Sequence, residues 1–325
     1  MAALALTAAG CGAGDQSTLD PASRPARLIR DLWWWMQGVA WVVFGGAVIL
    51  LLIAWFRRRR AGLPIFGERE PLVTGLVVVF GIVIPILTLA GLFTVANVKL
   101  IGETNAPAAG STAMTVQVVG HQWFWEVRYP GTDAVTANEI HIPVGTRVNL
   151  VATTADVIHS FWVPRLNRKI DMIPGRTNRI LLEADEPGRY RGQCAEFCGL
   201  QHAHMGLVVV AQPRGAYESW LRNMESPAPE PAGGEASRGR DVFLKEACAQ
   251  CHTIRGTSAQ GRIGPDLTHL ASRETLAALT IPNTRSELAD WIRDPQHAKP
   301  GNRMPGLRLS DDDVDALVAY LESLR

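Results

Sequence analysis

Cys194-Ala-Glu-Phe-Cys198-Gly-Leu-Gln-His202-Ala-His204-Met205 is the stretch on which the reading of this chain turns. It carries two thiols, imidazoles and a thioether, and another histidine, His159, lies upstream in Asp156-Val-Ile-His-Ser-Phe-Trp-Val-Pro164. Soft sulfur and imidazole donors suit copper, whereas carboxylates would suit calcium or magnesium. The two cysteines of a Cys-x-x-x-Cys loop can both bridge a pair of metal ions. His159 and His202 would then complete one ion each, with Met205 and the backbone carbonyl of Glu196 as weak outer ligands. Bridging thiolates spread one unpaired electron over both ions, so bond lengths change little on reduction. For the cysteines alone, a disulfide in an oxidising compartment or a zinc site with two histidines are the alternatives. His204 would point the same way as His202 on an extended stretch, and it is placed outside the ligand set.

A rigid β-scaffold would hold such a site, and the flanking sequence predicts one. Alternating or β-branched runs occur at Met114–Val119, Trp123–Tyr129, Glu139–Pro143, Arg147–Thr153, Asn178–Glu183 and Gly206–Ala211. Pro130-Gly131, Pro143, Gly145, Pro174-Gly175 and Pro187-Gly188 punctuate them, which reads as an antiparallel sandwich or barrel. Arg214 to Met224 reads as a short helix. Residues 225–236, rich in Pro, Ala and Gly, read as a flexible linker.

Beyond the linker the pattern becomes helical. Cys248-Ala-Gln-Cys251-His252 is the c-type haem attachment motif, in which both thiols bond the haem vinyls and His252 is the proximal ligand. A zinc knuckle is the alternative, but no second cysteine pair follows. Met304, in Asn302-Arg-Met-Pro-Gly306, is the only methionine after Ser237 and is the candidate sixth ligand. His269 and His297 compete for that place but are assigned to the surface. Helices are expected over Ser237–Glu246 and Glu287–Arg293. A last one is capped by Ser310, with acids in its first turn and Val314, Leu317, Val318 and Leu321 on one apolar face.

Towards the N-terminus, Leu32–Phe56 and Pro71–Val98 contain no charged residue. Each exceeds the roughly 20 residues that span a hydrocarbon core. Arg57-Arg58-Arg59-Arg60 between them predicts a cytoplasmic loop, leaving the rest of the chain on the outer face. Trp33, Trp34, Trp35 and Trp55 suit the interface, and Pro85 is expected to kink the second span. Ala8-Ala9-Gly10-Cys11 ends an apolar leader and reads as a lipoprotein cleavage site, with an unmodified or removed leader as the alternative. A net charge of +1 over 325 residues gives no sign of a nucleic-acid partner.

These motifs together resemble cytochrome c oxidase subunit II with a fused C-terminal cytochrome c domain, the caa type. Gly120-His-Gln-Trp-Phe-Trp-Glu-Val-Arg-Tyr129 and Asp171-Met-Ile-Pro-Gly-Arg176 extend the likeness. It implies a multi-domain membrane protein in five parts. These are a leader segment (1–31), a two-helix transmembrane hairpin (32–98), an all-β cupredoxin barrel (110–224), the linker (225–236) and an all-α class I cytochrome c domain (237–325). It implies a binuclear CuA centre on His159, Cys194, Glu196, Cys198, His202 and Met205, with the Glu196 side chain offered to magnesium at the boundary with subunit I. It implies a covalent haem c on Cys248, Cys251, His252 and Met304, with Gly264-Pro-Asp-Leu267 as the loop under the proximal histidine. Trp123 resembles the exposed indole where the electron donor docks, while Trp125 is expected in the core. No catalytic residue is implied in this chain.

The resemblance further implies oxidase subunit I and other oxidase subunits, external cytochrome c and membrane lipid as partners. The chain would sit in a bacterial inner membrane with both centres on the periplasmic face. It would pass electrons to subunit I, where oxygen is reduced to water with proton translocation. A CuA-bearing subunit of a nitric oxide reductase is the alternative function. Val78 stands where many family members carry a glutamate for proton uptake, so the likeness carries no proton route here.

Overall fold

The computed structural model describes residues 14–58, 70–108 and 110–325. The leader with Cys11 and the loop arginines Arg59 and Arg60 lie outside them. Arg27–Thr104 forms one compact unit, and Asn105–Arg325 forms the other together with the segment before Arg27.

The first unit is helical. One helix runs Arg24–Arg58, starting before the uncharged stretch because Ser23 caps it: the Ala26 amide donates to Ser23 Oγ at 3.2 Å. A second helical run holds the stretches Glu70–Val78 and Ile84–Val95, joined by a wide π turn over Val79–Val83. Pro85 sits in the first turn after that bulge. The wider turn accommodates the residue that cannot donate a backbone hydrogen bond. Both runs are long and apolar enough to cross a membrane, and their apolar windows are wholly unburied by the protein. With no protein core to cover Trp41, Leu51, Phe80 or Leu87, lipid is the solvent that matches them.

The β part of the second unit is a two-sheet sandwich. Ten strands run β1 Met114–His121, β2 Phe124–Arg128, β3 Val135–Ala137, β4 Glu139–Pro143, β5 Val148–Thr154, β6 His159–Trp162, β7 Ile170–Met172, β8 Asn178–Leu182, β9 Gly188–Cys194 and β10 Gly206–Gln212. One sheet has the order β3-β2-β1-β5-β8, the other β4-β10-β9-β6-β7. The expectation of a purely antiparallel sandwich is corrected: β1 pairs parallel with β5, and β4 parallel with β10. Those partners are far apart in sequence and joined by crossovers rather than hairpins, which alternation within each strand cannot show. Val116, Val118, Trp125, Val127, Leu150 and Leu207 fill the space between the sheets with no exposure. Each such side chain contributes about 1.5–3 kcal/mol by leaving water.

The helix Arg214–Glu225 closes this domain, with Trp220 stacked on His141 at 4.0 Å between ring centres. The C-terminal domain then packs the helix Gly234–Lys245 against Asp311–Ser323, where Phe243 meets Tyr320 edge-on at 6.0 Å. Ser310 caps the latter helix as its sequence predicts, accepting from the Asp313 amide at 3.2 Å. Val314, Leu317, Val318 and Leu321 are buried.

Two expectations fail here. His269 is not on the surface: it is 2% exposed and its ring bridges the Arg325 carbonyl (2.9 Å) and the Ser226 carbonyl (3.0 Å). The segment 225–236 is not a free tether either. Ser226 is held by that histidine, the Ala228 amide donates to the Arg255 carbonyl at 2.9 Å, and Glu230 pairs with Arg240 at 2.6 Å. Outside regular structure, the Ser226 carbonyl and the Ala228 amide must find partners, and these neighbours supply them. His297 is exposed, as expected.

Candidate metal and haem centres

The copper-type donors converge where three strands of one sheet end. β6 begins at His159, β9 finishes at Cys194, and the loop after it returns through Cys198 and a short turn at His202–His204 into β10. The two sulfurs lie 3.8 Å apart. His159 Nδ1 is 3.9 Å from Cys194 Sγ, and His202 Nδ1 is 3.7 Å from Cys198 Sγ. Met205 Sδ is 3.8 Å from Cys198 Sγ, and the Glu196 carbonyl 3.2 Å from Cys194 Sγ. Both cysteines are free thiols, so the disulfide alternative does not hold in this structure. The sulfurs form the centre, with one histidine and one weak donor on each flank. That symmetry fits two bridged ions better than one tetrahedral zinc.

The protein prepares this site with its core. Gly120 on β1 is required by the closeness of His159: a Cβ there would stand 2.8 Å from His159 Cδ2. Trp125 lies under the site, its ring centre 6.0 Å from that of His159 and its indole N–H donating to the Met205 carbonyl at 3.4 Å.

Asp156, to which sequence reasoning gave no role, accepts from His159 Nε2 at 2.9 Å and from the Gln122 amide at 2.7 Å. It fixes the tautomer that turns Nδ1 towards the sulfurs. Burial opposes its ionisation. The His159 hydrogen bond and the Gln122 and Val157 amides outweigh that and hold its carboxyl at about 2. Burial likewise works against a charged His159, but Asp156 and Cys194 raise its pKa overall. The contact with Cys198 first, then His159 and the nearby backbone, draws the Cys194 thiol down to about 3. The same contact and burial push Cys198 up. Two buried sulfurs this close hold one negative charge readily and a second only with cations between them. Only His159, Cys194 and Cys198 meet as a metal-ligating trio among the described residues.

Glu196 turns its side chain away from the sulfurs and pairs with Lys169 at 3.2 Å, half exposed. Lys169 also reaches Asp171 at 3.4 Å. His204 is exposed and bonded to Gln201 at 2.7 Å, outside the donor cluster.

The second centre is a cavity of about 370 Å³. Cys248, Cys251, His252 and Met304 all line it, within walls that include Phe243, Leu288, Ile292, Leu317 and Leu321. His252 Nδ1 meets the Pro265 carbonyl at 2.8 Å, which leaves Nε2 for the cavity side. Burial first, and the Arg273 charge after it, lower the pKa of His252 and keep the imidazole neutral as a ligand must be. Gly264 passes against this ring so closely that a Cβ would sit 2.5 Å from Cε1. The Met304 loop is fixed at both ends of its residue: the amide donates to Asn302 Oδ1 (2.7 Å) and the carbonyl accepts from Gln296 Nε2 (3.0 Å). Arg273, 7% exposed, also lines the cavity, and its Nε has no hydrogen-bond partner. An apolar slot with two thiols, an imidazole, a thioether and an unspent buried guanidinium N–H fits a haem with its propionates.

Trp123 corrects an expectation. It is half-buried, not exposed, and lines the haem cavity together with Gln122 and Phe124. Its indole N–H donates to the Cys198 carbonyl at 3.0 Å. Trp125, expected in the core, has no exposure.

Comparison with known sequences places both centres in known domain types. Residues 132–212 match the cytochrome c oxidase subunit II periplasmic domain, and residues 236–325 match cytochrome c. A cytochrome c oxidase subunit 2 of Alkalihalophilus pseudofirmus is 38% identical over 75% of this chain and 69% of its own length. The cytochrome c oxidase subunit 2 of a Bacillus species is 30% identical over 99% of this chain and 95% of its own. Among solved structures, the periplasmic domain of cytochrome oxidase subunit II from Bradyrhizobium japonicum is 30% identical. It covers 35% of this chain and 94% of that one, with a TM-score of 0.34.

Proposed function

We propose, since the chain belongs to the cytochrome c oxidase subunit II family, that it is the subunit through which electrons enter a haem–copper terminal oxidase of the caa type. Electrons would pass from external cytochrome c to the haem c site, then to a binuclear CuA site and on to haem in subunit I. Oxygen would be reduced to water there, with proton translocation. When bound, the haem and the copper pair each supply a carrier that takes up and releases one electron without a proton. His159, Cys194, Cys198, His202, Met205 and the Glu196 carbonyl would hold the copper pair. Cys248, Cys251, His252 and Met304 would hold the haem. Membrane anchorage through the two apolar helices would keep both sites at the outer, periplasmic face, beside subunit I.

The observation that carries this reading is the run His159–Cys194–Cys198–His202, with neighbouring donor atoms 3.7 to 3.9 Å apart. The protein supplies the donor positions before any metal arrives, so a change of one electron finds ligands already in place. Trp125 and the strand ends restrain them. The buried, low-dielectric surroundings keep water from the sulfurs. We assign the Glu196 carboxylate to a magnesium ion shared with subunit I. This chain offers that ion one half-exposed carboxylate, now paired with Lys169, so its other ligands must come from the partner and water.

The test is the copper content and electron paramagnetic resonance spectrum of the purified chain. About two coppers per chain, with hyperfine splitting from two equivalent nuclei, is expected; one copper, or a signal from a single nucleus, overturns the reading. Consumption of oxygen rather than nitric oxide by the assembled complex separates the oxidase from a nitric oxide reductase.

A further inference from the structure

The haem domain is seated on the copper domain by contacts outside both donor sets, several of them from residues that also wall the haem cavity, Lys299 among them. Lys299 is 3% exposed, and no carboxylate pairs with it among the described residues. Its ammonium instead donates to the Trp123 carbonyl at 2.8 Å and the Ala277 carbonyl at 3.0 Å. Burial drives its pKa down to about 7, with the nearby Cys198 acting in the opposite sense.

Ala277 belongs to a two-stranded hairpin, Thr275–Leu276 with Ile281–Pro282. Its turn holds three successive non-glycine residues at positive φ: Ala277 (51°), Ala278 (59°) and Leu279 (65°). L-residues resist this conformation, and such strain persists where the surroundings over-determine it. The surroundings here are the copper domain. The Gly206 amide, at the start of β10, donates to the Ala278 carbonyl at 3.1 Å, and Leu279 packs where a Gly206 side chain would stand. Around this centre, Glu274 pairs with Arg189 at 2.9 Å and its amide donates to Glu139. Arg303 donates to Gln122, and Gln201 of the copper loop to the Pro300 carbonyl.

We infer that Lys299 and the strained turn Ala277–Leu279 form a latch that seats the haem domain on Trp123, so that this face of the copper domain serves the chain's own haem and not a soluble donor. The inference rests on the relay reading above. Trp123 is the point of contact: it lines the haem cavity, gives its carbonyl to Lys299 and its indole N–H to the Cys198 carbonyl. With both groups bound, the step concerned would carry one electron from the haem held by Cys248, Cys251, His252 and Met304 to the metal held by His159, Cys194, Cys198 and His202. No bond is made or broken and no proton moves. Lys299 is a positioning residue that acts through Trp123.

Lys299→Met in the full chain within its oxidase tests this, with two readings. Hydrogen exchange at the Gly206 amide and over residues 277–280 is expected to rise at least about tenfold. The rate of electron transfer from photoreduced haem c to copper is expected to fall about tenfold and to become salt-dependent, while the haem absorption spectrum, which reports that His252 and Met304 still hold the haem, stays as in the unaltered chain. Wild-type exchange and rate in this variant overturn the latch. If it does not assemble, Arg303→Gln on the rim of the same seam is expected to lower the rate about threefold, and no change overturns it. Reduction of copper in the unaltered chain by soluble cytochrome c with its own haem c held oxidised also overturns it. If the unaltered chain passes no electron from haem c to copper at all, the relay reading itself fails.

Discussion

The copper loop and the haem pocket are built on opposite plans. The proposed copper donors already stand within 3.7 to 3.9 Å of one another, held by the ends of β6, β9 and β10. The haem donors stand around a cavity of about 370 Å³, carried by a single helical turn at Cys248–Cys251 and by loops without regular structure. A site of the first kind is a property of the folded scaffold. A site of the second kind is one wall of a core whose centre the prosthetic group provides.

The largest test of that contrast is to withhold each group. Without the group, Phe243, Leu288, Ile292, Leu317 and Leu321 face an emptied apolar cavity, and apolar area left uncovered costs about 25 cal/mol per Å² in a domain whose net stability is small. Cys248→Ser with Cys251→Ser, which prevents attachment, is therefore expected to abolish cooperative unfolding of residues 237–325 and expose them to protease. Chelating the copper should leave the β-domain circular dichroism intact. A haem-free domain that unfolds as sharply as the loaded one would erase the distinction.

A smaller test sharpens the copper side. Asp156→Asn keeps the shape but removes the carboxylate that orients His159. Copper affinity, measured by competition with a chelator, is expected to fall about 10–100-fold, with thermal unfolding of the metal-free chain little changed. An unaltered affinity would mean that the strand ends alone orient the ring.

The smallest concerns the seam between the two regions. Glu139 is 5% exposed. Burial opposes its charge, but His141, Arg273 and Arg189 outweigh burial and lower its pKa. A depressed carboxyl contributes stability that is complete above the unfolded value of about 4.3 and lost as pH falls through the lower folded value. Hydrogen exchange at the Glu274 amide, which donates to Glu139 at 3.3 Å, is thus expected to lose protection below about pH 4. Glu139→Gln should flatten that dependence.

The motifs Cys-x-x-x-Cys with His202 and Met205, and Cys-x-x-Cys-His, were readable because their chemistry is local: the residues that cooperate are neighbours in sequence. The uncharged spans were readable because lipid imposes a length. The short strands at Val135–Ala137, His159–Trp162 and Ile170–Met172 escaped notice because each is too brief to show alternation. The parallel pairing of β1 with β5 depends on long crossovers that leave no local trace. Asp156 passed as context, although its place three residues before a ligand histidine was a usable signal. Lys299 and His269 look like surface residues in any window of sequence. They are buried only because a second domain covers the one and the interdomain segment folds back over the other.

That folded-back segment sets how far the two halves can part. Arg255 holds the Met224 and Glu225 carbonyls and His269 holds Ser226, immediately where the last helix of the copper domain ends. Almost no slack chain is left between them. With these contacts kept, an opening of the seam would turn the haem domain about 224–226. Each return brings the same edge back to the same indole, and chain length has no part in setting how often they meet.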